Sequence, residues 1–162
     1  MLKRFLSILV GLLVILQFIR PPRNISEAAP TNDITARFNV PSDVRAILHT
    51  SCYDCHSNAT RYPWYSEIQP VGWWLNNHIQ QAKRALNFSE FAGNRPRRQF
   101  TKLEQIAEQV SENEMPLPSY LLLHTDAKLS QEQKDILVAW TNAMRDSMKA
   151  VYPEDSLKRQ SR

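Results

Sequence analysis

Five consecutive residues constrain this chain more than any other stretch: Cys52-Tyr53-Asp54-Cys55-His56. Two thiols separated by two residues, with an imidazole directly after the second, form the attachment signature of a c-type haem. The short loop presents both sulfurs at the separation of the porphyrin's vinyl groups, and the next residue brings its ring under the iron. The chain has only two cysteines and both are used here, so no disulfide framework exists elsewhere. The expected cofactor is one haem c, bonded through Cys52 and Cys55, with His56 as proximal iron ligand.

A Cys-x-x-Cys pair also occurs as half of a zinc site or as a redox dithiol. Zinc needs two further ligands, and no second Cys-x-x-Cys and no His-x-x-x-His cluster is present. A thioredoxin-like motif needs a preceding strand in an alternating βα pattern, which is missing too. Haem is the reading that the flanking sequence supports.

The rest of the chain must then enclose a haem. Its 162 residues suffice for one domain with a real core. Glycine occurs only at positions 11, 72 and 93 and strand-like alternation is scarce, which favours helices joined by proline-rich turns. The net charge of +4 comes from scattered basic residues. It can bias docking toward an acidic partner but gives no nucleic-acid footprint.

Residues 1–20 read as a signal-anchor or transmembrane segment. Lys3 and Arg4 precede an apolar run from Phe5 to Ile19, closed by Arg20-Pro21-Pro22-Arg23. As a helix that run spans about 22 Å, against roughly 30 Å of bilayer hydrocarbon. The basic flanks can snorkel and lengthen it. Ala28-Ala29 follows too late for a close cleavage site. An uncleaved anchor is expected, with cleaved secretion as the alternative. Covalent haem attachment takes place outside the cytoplasm, which puts the domain in the periplasm of a bacterial inner-membrane, single-pass protein. Residues 21–40 read as a flexible linker, 41–151 as the haem domain and 152–162 as a loose basic tail.

The domain reads as all-α. Ser42 or Asp43 can cap a helix that carries Val44, Ile47 and Leu48 into the haem motif. Tyr62, Trp64 and Tyr65 follow, candidates to wall the haem or to bond a propionate. Pro70 opens an amphipathic helix with Val71, Trp74, Leu75, His78, Ile79, Ala82 and Leu86 on one stripe. Residues 87–99 read as a mobile loop whose Arg97 and Arg98 are either solvated or face propionates. Thr101-Lys102-Leu103-Glu104 matches a capping box, as does Ser130 with Gln133 ahead of the last helix. Between them, Met115 sits in a proline-stiffened loop, Glu114-Met115-Pro116-Leu117-Pro118, well suited to hold a weak thioether ligand. Met115 is the expected sixth ligand, with His78 or an open position as alternatives. Met144 and Met148 read as helix-face residues, and His124 as a loop histidine.

An apolar helix into Cys-x-x-Cys-His, a later Met-Pro and a capped final helix together resemble a class I cytochrome c. More closely, Cys52-Tyr53-Asp54-Cys55-His56-Ser57-Asn58, Arg61-Tyr62-Pro63-Trp64-Tyr65, Trp73-Trp74-Leu75 and Met115-Pro116-Leu117-Pro118-Ser119-Tyr120 resemble the small haem-binding domain family. That family comprises bacterial, single-haem, often N-terminally anchored proteins, and the likeness covers roughly residues 35 to 145. It implies a cytochrome c-like bundle of about four helices around one covalent haem, after an N-terminal membrane helix. The implied function is electron transfer, with no catalytic residue. A haem sensor or peroxidase-like enzyme is the alternative if the sixth position is open. The expected partners are redox proteins at the membrane, reached by a domain that swings on its linker, and no nucleic acid.

Overall fold

The computed structural model describes residues 1–26 and 30–158. Among these the fold is all-α, with one isolated bridge, Ile25 to Ala59, in place of any strand. The helices run α1 (Leu2–Leu16), α2 (Ile34–Arg37), α3 (Ser42–Ser51), α4 (Tyr53–His56), α5 (Val71–Ala85), α6 (Pro96–Ser111), α7 (Pro118–Leu121), α8 (Gln131–Val151) and α9 (Glu154–Leu157). Short 3-10 turns at Trp64–Glu67, Phe88–Gly93 and Thr125–Ala127 link them. Four of the domain's helices (α3, α5, α6 and α8) are ten residues or longer.

The main core joins α3, α6 and α8. Val44, Ile47 and Leu48 meet Leu103, Ile106 and Val110 of α6 and Leu137, Trp140 and Met148 of α8. Ser130 Oγ accepts from Gln133 N (3.1 Å) while Gln133 Oε1 accepts from Ser130 N (2.9 Å), so the expected capping box starts α8. The similar pattern at Thr101 does not start α6. Pro96, with its φ already suited to a first turn, starts the helix earlier. Thr101 is therefore inside the helix and returns its hydroxyl to Arg97 O (3.0 Å). Glu104 reaches across to pair with Arg145 of α8.

Residues 87–99 are built into the core. Phe88 and Phe91, three apart on a 3-10 turn, are almost completely buried. Asn87 caps this turn, and buried Gln99 donates to the carbonyls of Phe91, Ala92 and Asn94 that end it. Tyr53 stacks on Phe88 with ring centres 5.2 Å apart, which ties the turn to the cysteine motif. The tail also docks: Leu157 is 3% exposed, packed in the same core. Residues 159–162 lie outside the described residues.

The N-terminal part differs from expectation after α1. The helix of the apolar run is α1, fifteen residues with none buried, and no helix among the described residues is long and apolar enough to cross a membrane. Past Leu16 the backbone tightens, with Gln17, Phe18 and Ile19 donating three residues back to Val14, Ile15 and Leu16 O (3.2, 3.1 and 3.2 Å), while the Gln17 side chain reaches the domain. Gln17 Nε2 donates to Gln69 O (3.1 Å) and its Oε1 accepts from Gln69 N (2.9 Å). Nor is the described part of 21–40 a free linker. Trp73 Nε1 donates to Ile19 O (2.7 Å), and both Arg20 and Arg23 pair with Glu67. Buried Asn24 donates to Ser57 O (2.8 Å) and Thr60 Oγ1 (2.9 Å), and its own N–H bonds the Tyr62 hydroxyl (2.7 Å). Asp33 caps α2, whose Ile34 is fully buried. Ala28-Ala29 lies outside the described residues.

Candidate haem-binding site

A cleft opens between α5 and α6. Two adjoining cavities, of about 450 and about 340 Å³, share Ser51, Cys52, His56, Ala85, Met115 and Pro116 as lining. The larger continues along α6 past Lys102, Gln105 and Gln109. The smaller continues along α5 past His78, Gln81 and Ala82. These volumes lie within the range of sites that enclose a cofactor-sized ligand. The facing sides of α5 and α6 are thus spaced apart by the cavity, and the cysteine motif lies where both halves meet.

Local folding presents the motif. α3 ends by Cys52 N–H donating to Leu48 O (3.0 Å), and α4 begins at once with Cys55 and His56 both donating back to Cys52 O (3.2 and 2.9 Å). This single turn holds Cys52, Cys55 and His56 together. Both thiols are free. Burial, and then neighbouring Cys55, pushes the Cys52 thiol up to about 12; burial, and then Asp54, raises Cys55 to about 11. Both shifts favour the protonated thiol, the less readily oxidised form.

His56 is oriented for ligation. Its Nδ1 lies 3.0 Å from Leu86 O, and a carbonyl can only accept, so Nδ1 carries the proton and Nε2 keeps its lone pair. Burial disfavours the charged imidazole, the Leu86 bond opposing it in part, so the neutral ligand form is the favoured one. A backbone acceptor behind a histidine ligand fixes the tautomer and raises its basicity.

Met115 is brought to the same cleft by the end of α6. Asn113 takes a left-handed φ of 63°. Its N–H bonds Val110 O (3.3 Å) and that of Glu114 bonds Gln109 O (2.9 Å), the paired bonds of a Schellman cap. Met115 N–H also returns to Gln109 O (3.1 Å), and Asn113 Oδ1 accepts from Lys134 of α8. The methionine is held at its backbone before the prolines act.

The remaining expected site residues separate. His78 lines the smaller cavity, and its Nδ1 donates to Trp74 O (2.9 Å), a bond that turns Nε2 away from that carbonyl. Tyr65 is within electrostatic reach of Cys55 and holds its hydroxyl 2.8 Å from His124 Nε2. Tyr62 is turned to Asn24, Trp64 is 74% exposed and Trp74 is 48% exposed. None of these three lines either cavity. Arg97 lies instead with Tyr152 and Asp155, and Arg98 donates to Arg84 O (3.1 Å). One turn of helix from that arginine pair, Lys102 is the cation that borders the larger cavity. Helix α6 begins at Pro96, so Arg98 stands one turn before Lys102 on the same face, and its guanidinium is taken by the end of α5 instead. Asp54 and Tyr120, unremarked in the sequence, line the smaller cavity together.

These residues fit a haem: free paired thiols, an imidazole with an available Nε2, a thioether and an enclosing cleft. Among the described residues no group of three or more His, Cys, Asp and Glu side chains is arranged to hold a bare metal ion, so a zinc site lacks its remaining donors. Fold and site together define an all-α haem-binding protein of the Cys-x-x-Cys-His type. The model of the haem-binding domain family matches residues 11–143, and the chain belongs to that family. Compared with curated proteins and with solved structures, the chain finds no match.

Proposed function

We propose that this chain is a membrane-anchored, periplasmic, cytochrome c-like electron carrier rather than an enzyme. Its haem would be bonded to Cys52 and Cys55 and ligated by His56 and Met115. The observation that carries this reading is that Met115 lines the same cleft as the two thiols and the imidazole, although 58 residues of sequence lie between it and His56. A bound haem supplies a one-electron iron couple, whose potential a thioether ligand raises. The chain's part is to orient His56 through Leu86, to hold Met115 by the α6 cap and to exclude water with α5 and α6. Lys102 would face a carboxylate at the cleft's edge. α1, apolar and exposed around its circumference, would supply the anchor. The clamp at its base would hold the domain at a set orientation toward redox partners at the membrane.

A second reading rests on His78, which lines the cleft and bonds Trp74 O through Nδ1, keeping Nε2 for another partner. It could replace Met115 as sixth ligand, or serve as an acid–base group beside an open iron in a sensor or peroxidase-like protein. Optical spectra of haem-loaded protein decide. Met115→Ala is expected to abolish the weak far-red band of a sulfur-ligated ferric haem and to open the reduced protein to carbon monoxide. An unchanged spectrum, with His78→Ala altering it instead, would shift the assignment to His78. Immediate carbon monoxide binding by the wild type, with no far-red band, would replace the carrier reading by the open-site one.

A further inference from the structure

The cysteine motif and the methionine loop meet at one hydrogen bond. Asp54, between the cysteines, has a carboxylate only 13% exposed. Arg61 grips it through Nε (3.0 Å), Nη2 (3.2 Å) and the backbone N–H (3.3 Å). The Tyr120 hydroxyl donates to Asp54 Oδ2 at 3.1 Å. Tyr120 lies five positions after Met115, and its ring stacks on His124 at 4.1 Å and 7°. His124 in turn meets the Tyr65 hydroxyl. The loop that carries Met115 is therefore fastened at its start to α6 and at its end to the motif itself.

A hydroxyl bonded to a carboxylate makes a charge-assisted hydrogen bond, stronger than one between neutral groups. Arg61 keeps that carboxylate from turning away. Swinging Met115 out of the cleft as a loop movement pulls on the Tyr120 end, so the bond resists opening. We infer that Tyr120 is a positioning residue for the sixth ligand: its hydroxyl latches the Met115 loop to Asp54 and sets how often the iron's sixth position opens. The inference rests on Met115 being that ligand.

The test uses the full, haem-loaded chain and stopped-flow capture of carbon monoxide by the reduced form, with Met115→Ala as reference. Tyr120→Phe removes the hydroxyl but keeps the ring on His124. It should speed capture about tenfold, the effect of losing one charge-assisted hydrogen bond, and weaken the ferric far-red band. Asp54→Asn, still an acceptor but uncharged, should move both readouts the same way by less. Wild-type capture by Tyr120→Phe, while Met115→Ala is fast, overturns the latch and leaves the ligand standing. So does a lowered melting temperature with capture unchanged, which marks a merely structural tyrosine. If Met115→Ala changes neither readout, the ligand reading itself has failed and the latch falls with it.

Discussion

At the base of α1 the polar groups satisfy one another, whereas in the cleft the chemically potent groups are left with capacity to spare. Gln17 and Gln69 exchange two hydrogen bonds, Trp73 takes the Ile19 carbonyl, and Asn24 uses both its backbone N–H and its side-chain amide. In the cleft, by contrast, Cys52 and Cys55 are free, and His56 commits only Nδ1. Both regions contain a helix start, polar residues and aromatics, so composition does not separate them. Partner accounting does. In the joint, amides, an indole and cations are used up on one another, whereas the cleft keeps two weakly bonding thiols and an imidazole nitrogen, atoms suited to bond a cofactor. The clamp is a structural joint, and the cleft is a site.

The sharpest way to break this comparison is to deprive the cleft of its cofactor. Cys52→Ala with Cys55→Ala should leave haem extractable by acid solvent, with no stain in a denaturing gel. With nothing between α5 and α6, the haem-free chain should melt roughly 10 °C or more below the loaded one. Equal melting temperatures would mean that the cleft is self-supporting. A smaller effect is expected from Gly72→Ala. An added Cβ would stand 2.3 Å from Ser66 O, a backbone atom in the turn under the clamp. Overpacking of this kind costs about 1–3 kcal/mol. Melting should shift while the haem spectrum does not; a spectral change would show that the joint and the site are coupled. Smallest is Gln17→Ala, whose loss should cost ~1 kcal/mol or less at this half-exposed position. Faster hydrogen exchange around residues 17–20 would register it, with haem content untouched.

Differences between sequence expectation and structure follow the range of the interactions involved. Ser130 and Gln133 satisfy each other within one turn, and the box is read off four residues. Thr101 and Glu104 show the same pattern in mid-helix because nothing local reveals that Pro96 has already begun the turn. Phe88 and Phe91 carry no core signal in the sequence because a 3-10 turn is too short to display a periodicity. The stripe on α5 is legible, yet only part of it is buried: Leu75 and Ile79 are, while Val71 and Trp74 are exposed. Periodicity marks a face but not how far along the helix a neighbour covers it.

The sequence by itself determined the all-α class, the final capped helix and the haem motif. Each depends on residues a few positions apart, whose relative placement the covalent chain nearly dictates. Only the tertiary structure decided that Lys102 rather than Arg97 or Arg98 borders the cleft, that residues 17–26 are clamped to the domain, and that Tyr120 reaches Asp54. Those pairings join residues tens of positions apart. Their meeting depends on how whole helices rotate and pack, a choice made by burial summed over the core and inscribed in no single stretch of the chain.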